Sequence, residues 1–251
     1  MKRLFKQTLP IILIFSGVVL CIRNCKAQGV LLRYNTKVGE TLTTNTTITQ
    51  TMSVQGQEMT TTITMKMDMT TTEKTDSLVT TQAHLKRMTY NTNFMERTVN
   101  FDSDHLEDAD PSIAANFKRL LERNFEIVFD IYGNVISAPE EYPQEQGVTA
   151  IFPKEMVYEG SQWTKDSESE INGIAVQSHG TYTVKKITKK TTELEFIGTV
   201  TAENVKGDIT GTMLIDNETG SALNATLNMP TTINTAGTTA TIMQTITATT
   251  E

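Results

Sequence analysis

Met59-Thr60-Thr61-Thr62-Ile63-Thr64-Met65-Lys66-Met67-Asp68-Met69 decides the fold, because it repeats every two residues. Met59, Ile63, Met65, Met67 and Met69 fall on one side, and Thr60, Thr62, Thr64, Lys66 and Asp68 on the other. An extended chain turns successive side chains to opposite faces, so this pattern predicts an antiparallel strand with one face buried and one in water. The run before it, Leu42 to Val54, sets Ile48, Met52 and Val54 against Thr47, Thr49, Thr51 and Ser53. Gly56-Gln57 between the two predicts a long hairpin.

The same texture continues outward. Leu78–Tyr90, Gly173–Lys186, Glu193–Ala202, Ile209–Ile215, Leu223–Met229 and Thr239–Ala248 read as strands, and Asp216-Asn217-Glu218-Thr219-Gly220 is the clearest turn. Threonine fills 45 of the 251 positions. Its branched β-carbon disfavours helix and suits a pleated surface with a wet face. One helix interrupts the strands: Asp110 is an N-cap, Pro111 fits the first helical position, and Ile113, Phe117, Leu120 and Leu121 recur at helical spacing to about Arg123. After it Phe125, Ile127, Phe129 and Ile131 alternate, and Gly133-Asn134 offers a turn into Val135-Ile136. Strands this long must curl or twist. The fold class is therefore mainly β: a curled antiparallel sheet, an incomplete barrel or clam, with one central amphipathic helix.

Val38-Gly39-Glu40-Thr41-Leu42 and Tyr158-Glu159-Gly160-Ser161-Gln162-Trp163 open two similar strand series. Each continues through a polar strand, a turn near Gly56 or Gly173, and two more strands broken at residues 72–76 or 189–192. This predicts two related strand sets, 28–101 and 151–251, flanking an acidic loop, helix and hairpin at 102–150, within one domain.

The first 27 residues read as a secretory signal peptide. Lys2, Arg3 and Lys6 precede an apolar run from Leu9 to Ile22, and Cys25-Lys26-Ala27 places small residues at −3 and −1 for cleavage between Ala27 and Gln28. The run is shorter than the ~20 residues of a permanent span, so the mature protein is expected to have no transmembrane segment. Five of the 22 basic residues leave with it and none of the 29 acidic ones, taking the formal charge from −7 to about −12. That surface repels phosphate backbones, and nucleic-acid binding is set aside. Both cysteines, Cys21 and Cys25, leave too, so disulfides and thiolate metal sites are excluded from the mature chain. The leader places the protein outside the cytoplasm: periplasmic, outer-membrane associated or extracellular.

No catalytic signature is found. His84, His105 and His179 are far apart, and there is no His-Glu-x-x-His, Gly-x-Ser-x-Gly or phosphate-binding glycine loop. The expectation is a non-enzyme without a cofactor. Asp102, Asp104, Glu107, Asp108 and Asp110 crowd oxygen ligands that calcium favours, but the stretch lacks the glycine and closing glutamate of an EF-hand and reads as a solvated acidic loop at a helix start. Met65, Met67 and Met69 could ligate Cu(I), yet they read better as adaptable core filler. No metal ligand is assigned.

The Ala27-Gln28 junction, the opening Leu32 to Glu40, the Met/Thr strands, the segment from Phe152-Pro153 to Trp163 and the turn Asp216 to Gly220 resemble an uncharacterised family of exported proteins from Bacteroidetes-type bacteria. The resemblance implies no activity and transfers no site residue. At the level of architecture, a long curled sheet plugged by a helix is similar to periplasmic lipoprotein-carrier folds. The function expected is a binding module for a lipid or other hydrophobic ligand, its cavity lined by Met59, Ile63, Met65, Met67, Met69, Ile113, Phe117 and Leu121. The alternative is a structural or interaction domain with a filled core, whose protein partners dock on strand edges.

Overall fold

The computed structural model describes residues 28–94, 97–109, 111–139, 150–171, 174–203, 205–235 and 238–251. The signal segment and its cleavage junction up to Ala27 lie outside them, as do the capping residue Asp110 and the side chain of Ile113.

The described residues form one twelve-stranded antiparallel sheet. Its first wing runs β1 (Thr41–Val54), β2 (Gln57–Lys74), β3 (Leu78–Phe94), β4 (Arg97–Asp102), β5 (Asn124–Asp130) and β6 (Val135–Ser137). Its second wing is a meander, β7 (Gln162–Ile171), β8 (Ile174–Ile187), β9 (Thr191–Ala202), β10 (Val205–Asp216), β11 (Ala222–Thr235) and β12 (Thr238–Thr250). The wings join where the first strand pairs the last, from Thr44↔Thr250 to Val54↔Ala240. The far side of β3 is shared, β5 taking Leu78 to His84 and β4 taking Thr89 to Phe94. A 3-10 turn (Ser103–Asp108) and helix α1 (Pro111–Leu121) fill the crossing between them. No helix among the described residues is long and apolar enough to cross a membrane.

Register explains why the alternation reads so cleanly. Residues opposite one another across an antiparallel pair share a face. Phe101, Tyr90, Ile63, Ile48, Ile246, Leu227, Gly211, Phe196, Tyr182 and Trp163 therefore form one belt across ten strands of the inner face. Displaced by one residue is the outer row Asp102, Thr89, Thr64, Thr47, Thr247, Thr226, Thr212, Glu195, Thr183 and Gln162. A slip of one residue anywhere would exchange methionine and isoleucine for threonine, so the period itself fixes the pairing. Gly211 is the gap in the belt because a Cβ there would sit 2.3 Å from the Thr226 carbonyl oxygen and 2.4 Å from Leu227.

The sheet curls without closing. At its lower end, away from the Gln55-Gly56 turn, the two sheet edges are linked by a strap: Phe152 N–H donates to Tyr132 O beside β6, and Trp163 Nε1 on β7 donates to Ile151 O. A second strap, Gln28 to Glu40, pairs Val30 with Val157, then Tyr34 N–H with Ile131 O and Asn35 N–H with Thr219 O, crossing both wings. Leu32 and Tyr34 on it are buried, in the cores of the second and first wing respectively. Arg33 fastens the two straps, donating to Leu32 O, Pro153 O and Lys154 O at 2.6, 2.8 and 2.5 Å, with its guanidinium 4.6 Å from the centre of the Tyr132 ring.

Local geometry recurs between the wings. Gly39 and Gly160 both adopt positive φ, 84° and 85°, which glycine reaches without steric cost. Gly39 N–H donates to Thr71 O and Thr71 N–H to Glu40 O; Gly160 N–H donates to Val184 O and Val184 N–H to Ser161 O. Thr75 and Thr188 then cap the next turns identically, each hydroxyl accepting from the residue three positions on. Asp130 and Asp216 close the third pair, each carboxylate accepting from the amide two residues later.

Two elements escape a periodicity reading. β4 is six residues and mostly polar, and its partner is set by the β3 edge rather than by its own pattern. The acidic stretch coils into a 3-10 turn because Asp102 accepts from the Asp104 amide at 3.0 Å, and its helical dihedrals break at His105. The hairpin turn is Gln55-Gly56, both at positive φ, with Val54 facing Gln57.

Candidate ligand trough

The inner face changes character along its length. In the lower half it is filled: Leu32, Phe152, Val157, Tyr182, Val184, Leu194 and Ile215 form one cluster, and Tyr34, Val79, Phe125, Ile127 and Phe129 another. At the middle, α1 lies over β3 and β4, with Phe117 4.7 Å from Phe101 and 6.4 Å from Tyr90 between ring centres. Leu120 and Leu121 pack onto the same cluster as Ile48, Met65, Leu85, Met88 and Ile246.

Most residues expected to line a cavity are spent in this packing. Met65 is buried, Ile63 and Met67 pack beside it, and Met69 and Met67 contact the first-wing cluster. Phe117 and Leu121 seal them from above. Met59 is placed differently, two rows above the belt. There the inner row Arg97, Phe94, Met59, Met52, Ile242, Thr231, Gly207, Val200, Ser178 and Ser167 again crosses ten strands. Met52, Met59, Ile242 and Val200 are half-buried, and Phe94 and Val99 are 39% and 40% exposed. Between this row and the belt, Gln50 faces Gln244, and the Thr61 and Thr92 hydroxyls are 2.7 Å apart. Gly198 and Gly180 stand opposite each other in the same row, with Phe196 leaning over Gly180. The result is a partly open apolar trough with a polar seam, floored by β1, β2 and β9 to β12.

Among the described residues the other polar groups are spread over several elements. His84, His105 and His179 occupy β3, the 3-10 turn and β8; Asp166 lies 2.5 Å from His179 on the outer face. Arg87 holds Asp102 at 2.8 Å and Asp104 at 3.0 Å, and its guanidinium keeps the Asp102 carboxyl below the usual carboxylate range. His105, Glu107 and Asp108 bring ligand atoms together, but all three are exposed. The Thr43 hydroxyl, 2.8 Å from Asp68, lowers that carboxyl on the outer face. Burial pushes the Tyr182 phenol above the ordinary tyrosine value. A dish of about 600 Å³ lies on the outer face where Pro230 enters β11. A proline cannot donate to a ladder, and the pairing of β10 with β11 skips Asp208 and Ile209 beside it. That dish is shallow, and its charges, Glu58, Lys206 and Asp208, are mixed.

Residues 144–222 match a family of unknown function, DUF6263. The match covers the strap at Phe152, the Tyr158–Trp163 turn, β7 to β10 and the Asp216–Gly220 turn. No curated protein matches the chain. The trough itself could have been found by continuing the inner-face parity of β1 and β12 beyond Ile48 and Ile246; what periodicity could not supply is where the straps and helix stop.

Proposed function

We propose that this protein is a non-catalytic, exported binding module for a lipid or other hydrophobic ligand, held in the trough above α1. The observation that carries the reading is the contrast within one face: below the belt apolar side chains are buried by straps and helix, whereas two rows above it Met52, Met59, Phe94 and Ile242 keep substantial access to solvent. Half-exposed apolar side chains clustered on one surface gain free energy when a hydrophobic ligand covers them, at roughly 25 cal/mol per Å². Methionine adapts its three torsions to ligands of different shape. Partial kinship with a family of unknown function leaves the ligand to be defined by chemistry.

The test is titration of the folded protein with the neutral dye Nile red, followed by Ile242→Glu and Met52→Glu. Saturable binding abolished by either charge, with the circular dichroism spectrum retained, supports the module. A wild-type protein that binds no dye and releases no lipid in native mass spectrometry from its own host would leave the filled-core interaction domain as the better reading. Amino-terminal sequencing of exported protein, expected to begin at Gln28, tests the leader.

A further inference from the structure

Resting on that reading, we infer that the trough selects amphiphiles with an anionic head, a carboxylate or phosphate on an acyl chain, and that the head is received at the edges of the trough, by Arg97 on one side or Lys165 on the other. The argument is one of charge placement. The chain carries 29 acidic residues against 22 basic ones, so carboxylates should be common on any wet strand surface. On the outer face they are: Glu58, Asp166, Glu168 and Asp208 all stand on the upper strands at outer positions. The inner row through Met52 and the row between it and the belt hold no acidic residue at any described strand position. Two cations do stand in them: Arg97 opposite Phe94 on β4, and Lys165 opposite Gly180 on β7.

These two strands end the sheet in its upper half, so one cation stands at each edge of the apolar rows, at opposite ends of ten strands, and each offers a head site of its own. Arg97 is exposed and Lys165 half-buried, and neither has an ion-pair partner among the described residues. A planar guanidinium offers paired donors to a carboxylate or phosphate, and an ammonium adds a mobile point charge. A neutral head can accept a hydrogen bond from either but lacks the added charge attraction, and a cationic head is repelled.

The experiment displaces Nile red with dodecanoate, dodecyl phosphate, dodecanol and dodecyltrimethylammonium, each below its micelle threshold, from wild type, Arg97→Gln, Lys165→Gln, the double variant and Arg97→Lys. The two anions should displace dye at about tenfold lower concentration than dodecanol, as one charge-assisted contact of ordinary strength requires. The phosphate-to-carboxylate ratio then identifies which head fits. The double variant should level the series while its affinity for the neutral dye is unchanged, which separates loss of the head site from loss of fold; Arg97→Lys should recover part of the preference. Equal displacement by dodecanoate and dodecanol, or a preference that survives in the double variant, overturns the assignment while leaving hydrophobic binding intact. Absence of dye binding to wild type overturns both.

Discussion

Replacing Ile246 and Ile242 by alanine separates a packed half of the sheet from an open one, because the two residues stand on the same face of the same strand four positions apart. Ile246 is 2% exposed, inside the belt, between Ile48 and Leu227. Ile246→Ala should cost about 3 kcal/mol, the lost transfer of its methyl and methylene groups plus the cavity they leave. For a domain of this size that lowers Tm by roughly 6–12 °C. Ile242 is only half-buried, so truncation forfeits about half of a ~2 kcal/mol burial, roughly 1 kcal/mol, with no sealed void. Thermal unfolding followed by circular dichroism gives both numbers, and Nile red titration of the same samples should lose affinity only with Ile242→Ala. Equal stability losses would refute the reasoning, since they would mean that the upper rows are as tightly packed as the belt.

Gly220→Ala should be the most damaging glycine substitution at a turn, by about 2–4 kcal/mol, because it combines a left-handed φ of 72° with a Cβ 2.1 Å from the Arg33 carbonyl oxygen; Gly39→Ala, with open space around it, should cost about 1 kcal/mol. Urea midpoints compare the two, and similar losses would contradict the close approach of turn and strap. Arg33→Ala should destabilise by about 2–3 kcal/mol through its charge-assisted bonds to three carbonyls, with Arg33→Lys recovering less than half; a shift in Tm below 2 °C would show that the straps hold without it. Tyr182 has its folded pKa raised by burial, so its neutral form supports the fold in full below the ordinary value of 10.0 and the support is lost as pH rises above it. Stability measured from pH 9 upward should fall less steeply in Tyr182→Phe than in wild type, and superimposable slopes would remove the phenol from the alkaline limb.

Much of this architecture is legible in the residues. Nine strands and the helix follow from alternation and from Pro111, because threonine on one side and isoleucine or methionine on the other leave one register that keeps the core dry. The curl was implied by strand length. What alternation cannot report is how a face is divided along its own axis: Met59 and Met65 belong to one stripe, yet the helix covers the second and not the first. That division depends on where two irregular straps cross, and Arg33, an unremarkable residue in the chain, fixes them through backbone carbonyls that no side-chain pattern encodes. β4 was similarly invisible, since its pairing exploits the part of β3 that β5 leaves free.

The pairing of β1 with β12 makes the sheet a late product of synthesis. Thr44 and Thr250 lie 206 residues apart, so at typical ribosomal speeds of about 5–20 residues per second the first strand waits some 10–40 s for its neighbour. During that interval each three-stranded or longer ribbon can zip locally, but both present a raw edge to the surroundings. A chain truncated before β12 would keep those edges permanently, and its natural fate is to pair with other copies of itself.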